Sequence, residues 1–518
     1  MALDSKNQRW WVLAILSLSV FLVVVDNTIV NVALPTFSKH LHASNTSLQW
    51  IVDGYSLPFA GLLLAGGGLS DRLGRRRVMQ FGLIGFGLFS AFAAWSTSTG
   101  ELLSARALMG VAAAFIFPPS LSILTVTFED PSERAKAFGI WGAVSGMAIA
   151  FGPLVGGALL NHFWYGSIFL VNIPIVLVTL LGGWLIVPES KSPLRRKVDA
   201  GGLVLGTTGI TALVLAIIEG PTWGWLSART LTLFAASFVL LLAFCLFELR
   251  RSHPLLDVRV FKNRAFSSGA GAVAIAFFCL FGFIFLVTQY FQLIRGYSAL
   301  SAGVHTLPFA ITTAIISPLG AFFALRIGAR AVVAGGLAIM GLALWWQGTQ
   351  SISTAYFGPI ILSMIALAFG FSLINAPSTA AVMGSLSPEQ IGAGAAVNNT
   401  TRELGGTMGV AIVGSVFTSV FGPQIVDAFR HVPLSPAQLG VAKSSTQAAL
   451  GTVHALPVSL HTSLSHAVGQ AFMTGYHRGC FAAAIVAGLA AVTILISFPR
   501  HTTALPDDIE FTSATTLT

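Results

Sequence analysis

The chain is poor in charge. Asp, Glu, Lys and Arg make up 9% of its 518 residues, against roughly a quarter in an ordinary soluble domain. Those residue types solvate most protein exteriors. A soluble enzyme, a nucleic-acid-binding protein and a disordered chain are therefore excluded. Cysteine is equally scarce: Cys245, Cys279 and Cys480 stand alone in apolar stretches. They offer neither a disulfide framework nor CxxC metal spacing, and each reads as a packing residue. No GxxxxGK[ST] loop is present, so ATP is not the expected energy source. No clustered nucleophile or metal set points to an enzyme, and no cofactor is expected.

Apolar residues are abundant, at 55% of the chain with a mean hydropathy of +0.81. A bilayer core of ~30 Å takes about 20 apolar residues per helix. Fourteen such runs are legible, at about 10–34, 47–69, 78–97, 101–125, 136–160, 165–187, 200–219, 229–249, 265–291, 300–324, 331–348, 355–380, 393–420 and 476–498. The first is no cleaved signal peptide: it is too long, holds Asp26 and Asn27, and leads into further runs. Barrel strands alternate apolar and polar residues, whereas these runs are continuous, so they read as helices. The expected fold is an all-α polytopic membrane protein with 14 transmembrane helices.

Net charge is +9. With both termini cytoplasmic, twenty Lys and Arg fall in inner connectors and six in outer ones, with Arg106 and Arg402 inside spans. That bias fixes the expected orientation and accounts for the basic excess without nucleic acid. Segments 188–199 and 250–264 are basic inner connectors. Residues 422–475 form an outer loop expected to be partly helical or mobile.

Two halves repeat. Gly67-Gly68-Leu69-Ser70-Asp71-Arg72-Leu73-Gly74-Arg75-Arg76 follows span 2, and Leu325-Arg326-Ile327-Gly328-Ala329-Arg330 follows span 10, with Arg72 and Arg326 254 positions apart. Pro131-Ser132-Glu133 and Pro388-Glu389 each precede a glycine-rich span, with the glutamates 256 apart. Equal offsets imply two homologous six-helix bundles. The expected division is 1–190, a linker with two inserted helices at 191–264, a second bundle at 265–500 and a cytoplasmic tail at 501–518. Such a repeat is a transporter architecture with its site at the midplane between bundles.

These stretches resemble the fourteen-helix drug–proton antiporters of the major facilitator superfamily. Residues 67–76 are similar to the superfamily's signature loop, with Gly67, Asp71, Arg72, Gly74, Arg75 and Arg76 as its gating residues. Asp26-Asn27-Thr28-Ile29-Val30-Asn31-Val32-Ala33-Leu34-Pro35 resembles the first-helix motif of this subfamily. Gly142, Gly146, Gly152, Pro153, Gly156 and Gly157 resemble the antiporter motif, and residues 164–174 resemble the quaternary-ammonium exporters. Met109 stands before Gly110 where relatives often carry Gln. The resemblance implies proton-coupled export of drugs.

A charge at the bilayer centre costs at least ~2.5 kcal/mol, so each one invites a functional reading with a named partner. Burial favours a neutral carboxyl and a nearby guanidinium favours the charged one. Asp26 with Arg106 is therefore a candidate proton-coupling pair, the alternative being a static ion pair that fixes packing. Trp50, Asp53 and Tyr55 are candidates to frame a cation, the alternative being a carboxylate at the outer mouth. Glu403 and Asn399 share a helix face. Glu403 reads as a second acidic site, or with Arg402 as a structural pair near the helix end. Asp71 is expected to accept from helix-start N–H groups and to pair with arginines. Glu219 reads as a surface carboxylate and His305 as a packing histidine rather than a proton carrier. Asn27, Asn31 and Asn375 read as polar glue or cavity lining.

The expected function is proton-coupled secondary active efflux of hydrophobic, cationic drugs by alternating access, in a bacterial inner membrane. Export of a specific metabolite or self-made antibiotic is one alternative, and a non-transporting sensor or scaffold is another. Partners are a small-molecule drug or organic cation, protons and membrane lipids, with no nucleic acid and a monomeric state.

Overall fold

The computed structural model describes residues 5–128, 130–191, 199–251, 258–385 and 391–499. The tail 501–518, Pro388 and Glu389 lie outside the described residues. The described chain is helical, without a strand among them. The first half holds α1 (Ser5–His40), α2 (Asn45–Leu73), α3 (Arg75–Ala94), α4 (Thr99–Ala114), α5 (Phe117–Thr127), α6 (Pro131–His162), α7 (Ser167–Leu170) and α8 (Asn172–Ile186). Next come α9 (Ala200–Trp223) and α10 (Ala228–Arg250). The second half holds α11 (Arg264–Gln289), α12 (Ala299–Ile327), α13 (Ala329–Gln347), α14 (Ile361–Gly384), α15 (Ile391–Ala428), α16 (Pro436–Ala442), α17 (Thr446–His454) and α18 (Val458–Ser497).

Helix starts follow local chemistry. Ser44, Ser98, Ser227 and Ser298 each accept a bond from the amide three residues on, at the heads of α2, α4, α10 and α12. The run expected as one fourth span breaks at Phe115 and Ile116, because Pro118 and Pro119 open the next helix and supply no N–H.

Twelve described helices are long and apolar enough to cross a membrane, and a thirteenth counts if α2, bent by 53° between Leu63 and Ala65, is one span. The described residues do not confirm the exact count of fourteen; in α6 they supply the shorter apolar stretch Met147–His162. The outer loop is largely helical: α15 continues to Ala428, α16 and α17 follow, and α18 starts at Val458.

Within the first half α1 packs on α6, and α4 lies between α2 and α3; in the second half α11 packs on α15, and α13 lies between α14 and α18. The halves meet along α2 against α15 and α6 against α12. Helix α9 straddles the first seam. Its Val214, Ile217 and Ile218 pack with Leu57 of α2 and Ala411 of α15, and the Ile217 carbonyl accepts from Ser415 Oγ at 2.7 Å. At the end away from the arginine-rich loop, the halves are tied by polar bonds. Gln292 Nε2 donates to Val32 O at 2.7 Å, Ser38 Oγ lies 2.8 Å from Ser445 Oγ, and Asn45 N donates to Ser444 O at 2.8 Å.

Candidate functional site

The buried charges of the first half converge. Asp26 on α1 and Arg106 on α4 are both fully buried, with Asp26 Oδ2 2.5 Å from Arg106 Nη1. Asp26 Oδ1 accepts from Asn172 Nδ2 at 2.8 Å, and the same amide reaches Ser90 Oγ at 3.0 Å. Ser90 Oγ in turn donates to Phe169 O at 2.8 Å. Arg106 Nε donates to Ile51 O at 3.2 Å, and its guanidinium carbon lies 4.2 Å over the Tyr55 ring. Arg106 Nη2 has no partner among the described residues. The Tyr55 hydroxyl donates to Val23 O at 3.2 Å.

Gly110 permits this arrangement. A Cβ there would press on the Tyr55 carbonyl and the Pro58 ring, so only glycine lets α4 lie against α2 closely enough for Arg106 to reach Ile51 and Tyr55. Removing two charges from water costs several kcal/mol per ion, recovered only with close pairing and further hydrogen bonds. The bonds from Asn172 and to Ile51 meet much of that requirement.

Trp50, Asp53 and Tyr55 do not converge. Residues two apart on a helix point to different faces. Tyr55 lies under Arg106, while Trp50 turns towards α9, where its Nε1 donates to Glu219 Oε1 at 3.2 Å. Glu219 is thus half-buried and bonded rather than a free surface carboxylate. Asp53 is fully buried, and neither carboxylate oxygen has a partner among the described residues.

On α15, Glu403 and Asn399 are half-buried and Asn398 is buried. The Arg402 guanidinium carbon lies 4.6 Å over the Phe277 ring of α11, and its Nε has no partner among the described residues. Phe277 meets Phe371, which meets Phe309, at centroid distances of 5.3 and 6.1 Å. His305 bonds through Nδ1 to Ser301 O at 2.6 Å, with Tyr297 and Tyr356 rings at 4.4 and 4.3 Å.

In the basic loop, Asp71 pairs with Arg75 at 2.8 Å. The helix-start amide of Arg76 is held by Glu189 rather than by Asp71, at 3.1 Å from Glu189 Oε1, and Arg77 Nε lies 3.6 Å from Glu189 Oε2. Gly74 has φ +117°, and a Cβ there would strike the Glu189 carboxylate. Arg72 is exposed and makes no ion pair among the described residues; Gly67 lies near Pro118. Across the loop, Arg9 pairs with Glu133 at 3.0 Å.

The glycine-rich α6 is a contact strip with two neighbours. Gly152 and Gly156 face Thr28 and Ile29 of α1. Gly157 faces the backbone of Ala299 and Leu300 on α12, where Gly303 returns against the Pro153 carbonyl. The surroundings of Gly142 and Gly146 lie outside the described residues.

The profile of the Major Facilitator Superfamily matches residues 16–410. The chain belongs to that superfamily. It is a transporter family rather than an enzyme family, and the chain is a multi-pass membrane protein of it. A multidrug efflux pump, LfrA, of Mycolicibacterium smegmatis is 35% identical over 500 residues, covering 96% of this chain and 97% of that protein. A methyl viologen resistance protein, SmvA, of Salmonella typhimurium is 33% identical over 500 residues, covering 95% and 99%. Among solved structures, a bacterial homologue of the human lysosomal transporter Spinster aligns with a TM-score of 0.65 and 18% identity, covering 96% of this chain and 99% of that one. That likeness carries the fold alone.

Against the superfamily's membrane core, two side chains beyond the expected set do defined jobs. Asn172 bridges Asp26 to Ser90, and Glu189 clamps the start of α3. Asn172 was visible as an amide inside an apolar run, but nothing in the run named its partner. Glu189 sits just past span 6, where a lone acid beside a basic connector carries no distinctive signal.

Proposed function

We propose that the chain is a proton-coupled efflux pump for hydrophobic organic cations in a bacterial cell membrane, with both termini in the cytoplasm. The halves 1–190 and 265–500 rock about a midplane site, with the two helices of 191–264 inserted between them. The reading rests above all on the Asp26–Arg106 pair, which is sealed from water inside the first half. In such a pair, a proton taken by the carboxyl releases the guanidinium, so protonation and helix position are linked. Asp53, with no partner among the described residues, and Glu403, half-buried in the second half, supply negative charge for a cation. The flanking rings of Trp50 and Tyr55, with Asn399, would line its route. Gly67, Asp71, Arg72, Gly74, Arg75 and Arg76 would gate the cytoplasmic side. Gly146, Gly152, Pro153, Gly156 and Gly157 would keep the opposite side tight. The names of the multidrug and methyl viologen resistance relatives support drug export, and methyl viologen is itself an organic dication.

The test uses purified protein in proteoliposomes with an imposed pH gradient. Methyl viologen, ethidium and an uncharged hydrophobic dye serve as cargo. Gradient-driven movement of the cations, lost in Asp26→Asn and reduced for cations alone in Asp53→Asn, is expected. Movement of the uncharged dye alone would point to another cargo class. No movement of any compound in reconstituted wild type would overturn the pump.

A further inference from the structure

Helix α15 carries a cation whose resting place is a ring rather than an acid. Arg402 is half-buried and makes no ion pair among the described residues. Its guanidinium carbon lies 4.6 Å over Phe277 of α11, and its Nε has no partner among them. Phe277 stacks on Phe281 at 6.1 Å and meets Phe371 of α14 edge-on at 5.3 Å. A charge inside a membrane helix without a counter-ion is expensive and invites a functional reading. A cation–π contact offsets only part of that cost.

The packing of α15 sets where its two adjacent charges point. Gly405 and Gly409 lie against the backbone of Ala274 and Phe278 on α11, and Arg402, three positions before Gly405, shares that face. Residues 403, 407, 411 and 414 recur at helical spacing on another face. There Ala411 packs with Leu57 and Gly414 meets Gln49, both of α2. Glu403 therefore faces the first half, about 100° round the helix from Arg402. It too makes no ion pair among the described residues. The bonds that join the halves at Val32, Ser38 and Asn45 lie outward of this level, so they do not bar the inner approach to the Phe277 ring.

An aromatic face near a carboxylate is the chemistry that recognises an organic cation, and here a side-chain cation already covers the face. A second resting place exists for that side chain. Asn398, one turn before Arg402 on the same face, is buried, and its Oδ1 has no partner among the described residues. We infer that the Phe277 ring is a subsite for the cargo cation and that Arg402 is its tethered occupant, yielding the ring to cargo and turning back to Asn398. The inference rests on the cation export proposed above and deepens it. Cargo must hold the ring better than a guanidinium does, which favours flat, largely apolar cations over small inorganic ones.

Ethidium binding to the purified full chain in detergent, followed by fluorescence anisotropy, tests this. An occupant lowers the apparent affinity for cargo by the fraction of time it fills the site. Arg402→Gln should therefore bind ethidium roughly three- to tenfold more tightly than wild type. Arg402→Lys, which keeps a cation at the same place, should stay within about twofold of wild type. Phe277→Leu in the Arg402→Gln background should remove the gain. Asn398→Leu, with Arg402 present, should weaken binding by about threefold. Equal or weaker binding in Arg402→Gln is the mark of a purely structural arginine; it would overturn the subsite and leave the export reading standing. A gain that survives Phe277→Leu would assign the effect to long-range charge and overturn the subsite as well. No ethidium binding by wild type or by Arg402→Gln would overturn the subsite and the cation reading together.

Discussion

Replacing Asp26 with Asn separates an ion-coupling role from a structural one. The substitution is nearly isosteric, but it leaves the Arg106 charge fully buried with one backbone acceptor at Ile51, the Tyr55 face and an already unpartnered Nη2. Breaking a buried pair by removing one partner costs about 3–5 kcal/mol, mostly because the surviving charge is uncompensated. The same reasoning requires that Asp26→Asn with Arg106→Gln be less damaging than the sum of the two singles, since no buried charge remains. A coupling energy of about 2 kcal/mol is expected for residues in direct contact. Stability is read by unfolding purified protein in mixed detergent–SDS micelles, and transport by pH-gradient-driven export from proteoliposomes. The double variant should recover stability yet remain as defective as Asp26→Asn in gradient-driven export, because the exchangeable carboxyl is gone from both. Additive destabilisation would refute the charge argument. Full gradient-driven export by Asp26→Asn would reduce the pair to a packing device.

Three further outcomes follow from local geometry. Gly157→Val would place a side chain within 2.5 Å of the Ala299 carbonyl and 2.6 Å of Leu300 Cα, backbone that cannot swing aside; export should fall severely at normal membrane abundance, while Gly100→Ala, with open space around it, should match wild type in the same export assay. Glu189→Ala removes the cap on Arg76 N and the charge shared with Arg77, and should lower unfolding stability by about 1–2 kcal/mol; Arg72→Gln should stay within about 0.5 kcal/mol. Phe277→Leu takes the aromatic face from Arg402 and the edge contact from Phe371, and should cost about 2 kcal/mol in the same measurement.

How much of this was legible in the sequence depends on the size of each energy. A charge inside an apolar run is expensive, so Asp26 and Arg106 stood out although 80 positions separate them, and opposite sign suggested that they pair. The apolar runs placed the spans without their caps: the serines at the heads of α2, α4, α10 and α12 emerge only from the structure. Contacts set by many small terms were not legible. Helical spacing makes Trp50 and Asp53, three apart, neighbours on α2, and only the position of α9 explains why the Trp50 ring turns to Glu219. The glycines of α6 gave no sign of their partners: Thr28 and Ile29 on one side, Ala299 and Leu300 on the other. That glycine-rich helix thus touches both halves closely. Any rocking of one half on the other must shear that α6–α12 contact, because the backbones there already stand too close to admit a single added carbon.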